Sequence, residues 1–158
     1  DTCIFAYKYI ISLEKFDYVL QIDSDNQCNP SYLINFLDFV PRNDFIFGKR
    51  INREDGILRL ASTKILSLSV FFITRKIIHD LNVPYRLMKC NKLKILLSSI
   101  PEKVELKNAF LTFLIQKIYG NIIWVKIIFR KRKYGFSYFN TNKMFKFFID
   151  LLSYIIKY

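Results

Sequence analysis

The sequence predicts an α/β domain, because segments of two different periodicities alternate along the chain. Short runs rich in branched and aromatic residues, at 18–22 and 121–129, are typical of buried strands. Longer segments with apolar residues at helical spacing, such as 2–15 and 141–157, lie before and after them. An apolar content of 52% in 158 residues is enough for a packed core and excludes a disordered chain.

The first half of the chain is predicted to alternate helix and strand. A helix over 2–15 leads into the strand at 18–22, and a second strand follows at 44–48. A charged loop then precedes a long helix over 57–78. Within that helix, 65–73 is very apolar but is interrupted by two serines, so we expect it to be buried.

A helix is also predicted between the two strands, from Asn29 to Pro41. Asn can cap a helix through its side chain, and Pro30 suits the first turn. The residues expected on its core side are Leu33, Ile34, Phe36, Leu37 and Val40.

The second half is predicted to contain two more extended segments and three more helices. Pro84 biases its neighbour away from helix, so 83–89 is expected to be extended. Helices follow near 91–98 and 105–119, and the strand at 121–129 leads into a basic turn. No run reaches the roughly 20 apolar residues that span a bilayer.

The charge balance points to a polyanionic partner. Lys and Arg outnumber Asp and Glu by 25 to 13, for a net charge of +12. Nucleic acid, anionic lipid and phosphorylated ligands all fit this excess. Nucleic acid is disfavoured, because most aromatic residues lie in apolar runs and are not interleaved with Lys and Arg. The three cysteines lack CxxC spacing, which favours a reducing compartment over a disulfide framework or a zinc site.

Two carboxylates, Asp23 and Asp25, follow directly on the strand at 18–22. Ligands of open α/β sheets bind at the carboxyl ends of strands. Two neighbouring carboxylates repel each other unless a cation joins them, and Mg²⁺ or Mn²⁺ prefers such oxygen ligands. Gln27 adds an amide oxygen, directly or through water. The plain alternative is that these residues only form a turn. A phosphatase-type loop is disfavoured, because it requires Thr where Gln27 stands.

The segment "DYVLQIDSDNQCNPSYL", residues 17–33, resembles the metal-binding segment of family 2 glycosyltransferases, above all the dolichyl- and polyprenyl-phosphate sugar transferases. Three later segments resemble the same family in the same order. They are the arginine-rich "FGKRINREDGILRLAS", "HDLNVPYRLMK" with Pro84 where Gly is usual in D-x-x-x-G-[FY]-R, and "IIFRKRKYGFSYFN" with Arg132, Gly135 and Ser137 in the R-x-x-G-x-S pattern.

The resemblance implies a partial GT-A, Rossmann-like catalytic domain over 1–140, followed by an amphipathic helix over 141–158. Family members begin with a strand and loop that hold the nucleotide base, and nothing in this sequence corresponds to them. We therefore expect the chain to be a fragment of a longer protein.

The implied activity is a metal-dependent, inverting transfer from a nucleotide-sugar donor to a lipid-linked acceptor such as polyprenyl phosphate, at the cytoplasmic face of the membrane. Two alternatives stay open. One is a surface-polysaccharide glycosyltransferase that uses a sugar hydroxyl as acceptor, and the other is a non-catalytic, basic membrane-binding module.

The resemblance also implies roles for individual residues. Asp25 would bridge the cation, Mg²⁺ or Mn²⁺, to the diphosphate of the donor, with Asp23 and Gln27 completing the metal site. Arg86 and Arg132 would bind phosphate.

Four further residues are assigned, three of them with an alternative. Asp80 would be the base for a hydroxyl acceptor, or else a cap. Arg59 and Ser137 would contact substrate, whereas Arg59 with Arg50 and Arg53 equally fits a solvated charged face. The only histidine, His79, is expected to be a helix-end residue rather than a catalyst.

The last helix carries one narrow polar stripe among apolar residues. Its members are Lys143, Lys146, Asp150, Ser153 and Lys157. With the basic run 130–133 just before it, the pattern fits a helix lying on an anionic membrane surface. A terminal helix docked on its own domain is the alternative.

Overall fold

The structure, a computed structural model, describes residues 2–51, 57–130 and 141–158. Its helices are α1 (Thr2–Ser12), α2 (Leu33–Leu37), α3 (Ile57–Thr74), α4 (Cys90–Leu97), α5 (Lys107–Ile118) and α6 (Thr141–Lys157). Its strands are β1 (Tyr18–Ile22), β2 (Phe45–Ile51), β3 (Tyr85–Lys89) and β4 (Ile123–Ile128). Short 3-10 turns at Pro30–Tyr32 and Val40–Arg42 flank α2. The α/β class predicted from the sequence is confirmed.

The four strands form one mixed sheet in the order β1-β3-β2-β4. β3 runs antiparallel to both of its neighbours, whereas β2 and β4 are parallel. β1, β2 and β4 therefore end on the same side of the sheet, where β3 begins. We call this side, at Ile22, Ile51, Ile128 and Tyr85, the carboxyl end of the sheet. The loop that leaves β1 and the connection that enters β3 both lie there.

The core is centred on α5, which is buried along eight consecutive residues from Ala109 to Gln116. α3 and α6 pack against each other and against α5, so they form an outer layer over it. In α6, Leu151 and Ile155 are buried, and Tyr154 stacks edge-on against Phe110, as does Tyr158 directly after the helix. α6 is thus docked on its own domain through this apolar face.

Several helix boundaries differ from the sequence prediction. α1 ends at Ser12 and not at 15, because Glu14 adopts a left-handed backbone with φ of 51°. α3 ends at Thr74 and not at 78, because Arg75 adopts a φ of 56°. β1 begins and ends where the sequence predicts it.

Two predictions of burial are wrong. Ile34 and Leu37 are 70% and 52% exposed, because α2 is only five residues long between 3-10 turns and does not sustain a helical stripe. In the apolar segment 65–73, Leu66 and Val70 are buried as expected, but Ile65, Leu68 and Phe72 are each more than half exposed. α3 meets the domain on one side only. Within the described residues, no helix combines the length and apolar character needed to cross a membrane.

Candidate functional site

The loop after β1 is shaped by its own side chains. Asp25 Oδ1 accepts a hydrogen bond from the backbone N–H of Gln27 over 3.2 Å. Asn26 adopts a φ of 61°, a left-handed conformation that Asn tolerates better than most residues. Asn29 Oδ1 accepts from Ser31 N over 3.0 Å, which is the cap predicted from the sequence. These bonds turn the chain at once, so Asp23 and Asp25 lie at the carboxyl end of the sheet.

Hydrogen bonds from other strands hold this loop in place. Gln27 Nε2 donates to the carbonyl of Arg130 over 2.9 Å, and Arg130 N donates to the carbonyl of Gln27 over 2.9 Å. On the other side, the hydroxyl of Tyr85 donates to the carbonyl of Pro30 over 2.9 Å. The amide nitrogen of Gln27 is therefore engaged, which leaves its oxygen as the atom able to face a cation. The loop is fixed to β3 and to the residue after β4.

The surroundings of Asp23 disfavour the ionised form of its carboxyl group. Although the residue as a whole is exposed, packing around its carboxyl group raises its pKa, and the charge of Asp25 raises it further. Arg86, a hydrogen bond from Gln21 and Arg50 act in the opposite direction. Burial, with the charges of Asp23 and Asp25, also raises the pKa of the Cys28 thiol to about 11. The loop thus concentrates negative charge that a bound cation would stabilise.

Asp80 lies at the same end of the sheet and is held by an arginine of β2. Arg50 Nε donates to Asp80 Oδ2 over 2.5 Å, and both side chains are largely shielded, at 11% and 4% exposed. Asp80 Oδ1 accepts from Asn82 N over 3.1 Å. The Arg50 guanidinium also stacks on the ring of Phe129, 4.8 Å from its centroid. For Arg50, the alternative of a solvated charged face therefore does not hold.

Arg86 is buried completely and is bonded to the backbone. Its guanidinium donates to the carbonyls of Val83 over 2.7 Å, Asn108 over 2.7 Å and Leu81 over 3.0 Å. It also lies over the ring of Phe47. Three of its five N–H donors are thus committed to the connection that enters β3 and to α5. Arg86 reaches the acidic loop through its charge, which lowers the pKa of Asp23.

The remaining residues singled out by the sequence fall in three places. His79 lies five residues after the end of α3, so the prediction of a helix-end residue is wrong. The residue as a whole is exposed and stacks edge-on against Trp124; packing around its ring, together with the charge of Lys49, lowers its pKa. The backbone of Arg59 lies in α3, but its side chain lies outside the described part of the structure. Arg53, Arg132 and Ser137 lie outside the described residues. Arg130, which bonds to Gln27, directly precedes the segment with Arg132 and Ser137.

A cation at this loop would have to share its ligands with phosphate or water. Within the described residues, no group of three or more His, Cys, Asp or Glu side chains could hold a metal ion. The oxygen donors at the loop are Asp23, Asp25 and the amide of Gln27. Mg²⁺ is commonly bound through one or two carboxylates together with waters and substrate phosphates. This donor set fits such an ion and does not fit a closed, all-protein metal cage.

Sequence reasoning missed two contacts that shape the site. The pairing of Arg50 with Asp80 joins residues thirty positions apart, and no local signal near either residue indicates that they meet. Tyr7 donates its hydroxyl proton to Gln21 Oε1, which supports β1 from α1. The only hint of this second contact was a polar residue, Gln21, inside an otherwise apolar strand. Comparison with known proteins adds no relative, since no family model and no curated protein sequence matches the chain.

Proposed function

We propose that this chain is the catalytic domain, of partial GT-A type, of a metal-dependent, inverting glycosyltransferase. It transfers a sugar from a nucleotide-sugar donor to a lipid-linked acceptor such as polyprenyl phosphate, at the cytoplasmic face of the membrane. One observation carries this proposal: Asp23 and Asp25 stand together at the carboxyl end of β1, on a loop held by β3 and by Arg130. The order of segments that resemble family 2 glycosyltransferases supports the same assignment.

Each residue of the loop has a distinct task in this proposal. Asp25 binds Mg²⁺ or Mn²⁺ together with the donor diphosphate, and Asp23 and Gln27 complete and orient the site. The chemistry that the cation supplies when bound is neutralisation of the charge that builds on the departing diphosphate. Arg50 and Arg86 contribute positive charge beside Asp23, and both lower its pKa. They therefore oppose the rise in the pKa of Asp23 that burial and the neighbouring charge of Asp25 cause.

The state of Asp80 favours an acceptor that is already an anion. A sugar hydroxyl must lose a proton during the reaction, and this requires an available base. Asp80 is 3% exposed and paired with Arg50, so its Oδ2 would first have to leave this ion pair. A polyprenyl phosphate needs no deprotonation and can be positioned by cationic side chains. The hydroxyl-acceptor alternative requires release of Asp80 from Arg50 when the substrates bind.

The metal assignment can be tested by binding and by activity together. We expect Mn²⁺, followed by electron paramagnetic resonance, to bind the wild-type chain in the presence of a nucleoside diphosphate. Asp25→Asn should weaken this binding at least tenfold and abolish metal-dependent release of nucleotide from a nucleotide sugar. Asp38→Asn makes the same change at an exposed residue beyond α2 and should leave binding unchanged. Equal Mn²⁺ binding by the Asp25 variant and the wild type would contradict the metal assignment. It would favour the hypothesis of a non-catalytic, basic membrane-binding module.

The acceptor class can be tested with Asp80→Asn, which removes the charge of the carboxylate but keeps its shape. With polyprenyl phosphate as acceptor, we expect the rate of transfer to fall less than tenfold, because no base is needed. With a sugar hydroxyl as acceptor, loss of a general base predicts a fall of about 10²- to 10⁴-fold. A severe loss with polyprenyl phosphate, in a variant that remains folded by circular dichroism, would contradict our choice of acceptor.

A further inference from the structure

The outer face of α3 is apolar although it faces solvent. Ile65, Leu68 and Phe72 are 55%, 55% and 61% exposed. They are spaced by three and four residues, so they lie on one side of the helix. The opposite side carries Leu66 and Val70, which are buried in the core. We call Ile65, Leu68 and Phe72 the outer stripe.

Among the residues of α3 and α6 that the structure describes, several cationic side chains are exposed and Asp150 is the one acid. Lys64 is exposed at one end, and Arg75 and Lys76 are exposed just beyond the other. The sequence from 57 to 79 contains no Asp or Glu. The neighbouring helix α6 adds exposed Lys146 and Lys157 and the exposed apolar residues Ile149 and Ile156, and its one acid, Asp150, is only partly exposed. The layer therefore combines apolar and positively charged surface.

The position of α3 relates this layer to the candidate site. The chain leaves β2 at the carboxyl end of the sheet, passes into α3, and enters β3 at the same end. Both connections of α3 thus meet the sheet on the side that carries Asp23, Asp25 and the Arg50–Asp80 pair. Ile65 lies eight residues after the start of α3, which corresponds to about 12 Å along a helix axis. The outer stripe therefore begins about 12 Å along α3 from the helix end that follows β2.

We propose that the outer stripe and the cations beside it dock the chain on an anionic lipid bilayer. The three apolar side chains enter the boundary between headgroups and acyl chains, while Lys64, Arg75 and Lys76 contact the anionic headgroups. Charge complementarity favours an anionic bilayer over a second copy of the chain as the partner of this surface. A second copy would place these cations against the same cations of a chain that also carries a net charge of +12. The face of α6 that carries Leu151 and Ile155 is covered by α5, so α6 contributes only its exposed residues to this surface.

Docking through the outer stripe would bring the candidate site to a membrane-embedded acceptor. Only this consequence rests on the proposed function. Docking itself requires neither the cation nor the donor. The two ideas can therefore fail separately: Asp25→Asn should bind vesicles like the wild type, whereas changes in the outer stripe should leave Mn²⁺ binding with a nucleoside diphosphate unchanged.

The test is co-sedimentation of the full chain with vesicles of phosphatidylcholine alone or with one-third phosphatidylglycerol. We expect binding to the anionic vesicles to be at least tenfold stronger and to fall with added salt, because salt screens the headgroup charge. The double variant Leu68→Glu/Phe72→Glu should lose at least tenfold of the binding to anionic vesicles. The matched control is Ile34→Glu/Ile95→Glu, which changes two exposed isoleucines of α2 and α4 and should bind within twofold of the wild type.

Three results would overturn the proposal. The first is equal vesicle binding by the stripe variant and the wild type, with circular dichroism showing both folded. The second is equal binding to neutral and anionic vesicles, which would remove the role of the cations. The third is self-association of the wild type in sedimentation velocity that the stripe variant abolishes, which would assign the outer stripe to a second copy of the chain.

Discussion

Arg50 Nε lies 2.5 Å from Asp80 Oδ2, and this contact joins β2 to the connection before β3 at the carboxyl end of the sheet. The arginine belongs to the strand that leads into α3, and the aspartate precedes the strand inserted between β1 and β2. Removing one partner of a charged pair that is shielded from water is destabilising, because it leaves the other charge uncompensated. The pair therefore couples the geometry of the site to the integrity of the sheet.

Asp80→Asn should lower the free energy of unfolding by about 3 kcal/mol, because it leaves the shielded Arg50 guanidinium without its countercharge. Urea denaturation followed by circular dichroism measures this loss. The matched control is Asp44→Asn, which breaks the surface pair of Asp44 with Lys89, whose side chains are 35% and 37% exposed. Solvent screens that pair, so its loss should be much smaller. Similar losses in the two variants would contradict the buried character of the Arg50–Asp80 pair.

Arg86→Met should destabilise the fold strongly. The variant removes the side-chain donor of the Val83 carbonyl. It also removes one donor each from the carbonyls of Leu81 and Asn108, both of which lie within hydrogen-bond distance of the Thr112 hydroxyl as well. An unsatisfied buried group costs about 1–3 kcal/mol. Arg86→Lys should rescue little, since one ammonium group cannot reproduce a planar fork that reaches three carbonyls.

The control for this prediction is Arg42→Met, which changes an exposed arginine and should leave the unfolding midpoint nearly unchanged. If Arg86→Met unfolds like the wild type but loses affinity for a nucleoside diphosphate, Arg86 contacts phosphate directly, and its bonds to the backbone are of little energetic weight. A large loss of stability in both Arg86 variants would instead support the structural role.

Local sequence was sufficient to predict the elements that carry the site. The β-rich run before Asp23 and the Asn29–Pro30 start are signals contained within a few residues, and both are confirmed. Contacts between distant residues had no such signal. Nothing near Arg50 in the sequence indicates Asp80, because their meeting depends on the insertion of β3 between β1 and β2. The sheet order, and with it this ion pair, could only come from the structure.

The apolar periodicity of a helix also does not indicate what covers its apolar face. It identified an apolar face on α6 but could not say whether protein or lipid covers it, and the structure has α5 in that place. In α3 the two serines within the apolar run led to an expectation of burial, whereas Leu68 and Phe72 are exposed. A helix that is apolar on both sides looks the same in sequence whether its second side meets protein or solvent.

The docked position of α6 gives a prediction of its own. Leu151→Ala should lower the free energy of unfolding in solution, without lipid, by about 2–5 kcal/mol, because Leu151 is buried completely. Ile149→Ala, two residues away on the same helix but 51% exposed, is the matched control and should cost far less. Thermal or urea denaturation measures both. If the two variants lose equally little, α6 is not held on the domain in solution, and the membrane becomes the better candidate for covering its apolar face.

The unfavourable charge of Asp23 in the folded chain predicts that a variant without this charge is more stable than the wild type. Because the pKa of Asp23 is raised in the folded chain, the folded state binds more protons than the unfolded state between the two pKa values. Stability therefore falls as the pH rises through this interval, and the loss persists at neutral pH. Asp23→Asn removes it, so the variant should gain stability at neutral pH, by less than about 1 kcal/mol because solvent screens the exposed residue.

The gain should disappear toward about pH 3, where the aspartate is protonated in both states. Thermal denaturation from about pH 3 to about pH 8 measures it, with Asp38→Asn as the exposed control, which should follow the wild type throughout. Mn²⁺ with a nucleoside diphosphate should raise the melting temperature of the wild type and have little effect on Asp23→Asn, since a ligand stabilises the state that binds it. An Asn variant less stable than the wild type at neutral pH would show that Asp23 serves the fold. A stabilised variant that no longer responds to the cation would show that the chain tolerates an unfavourable charge at the position where a cation binds.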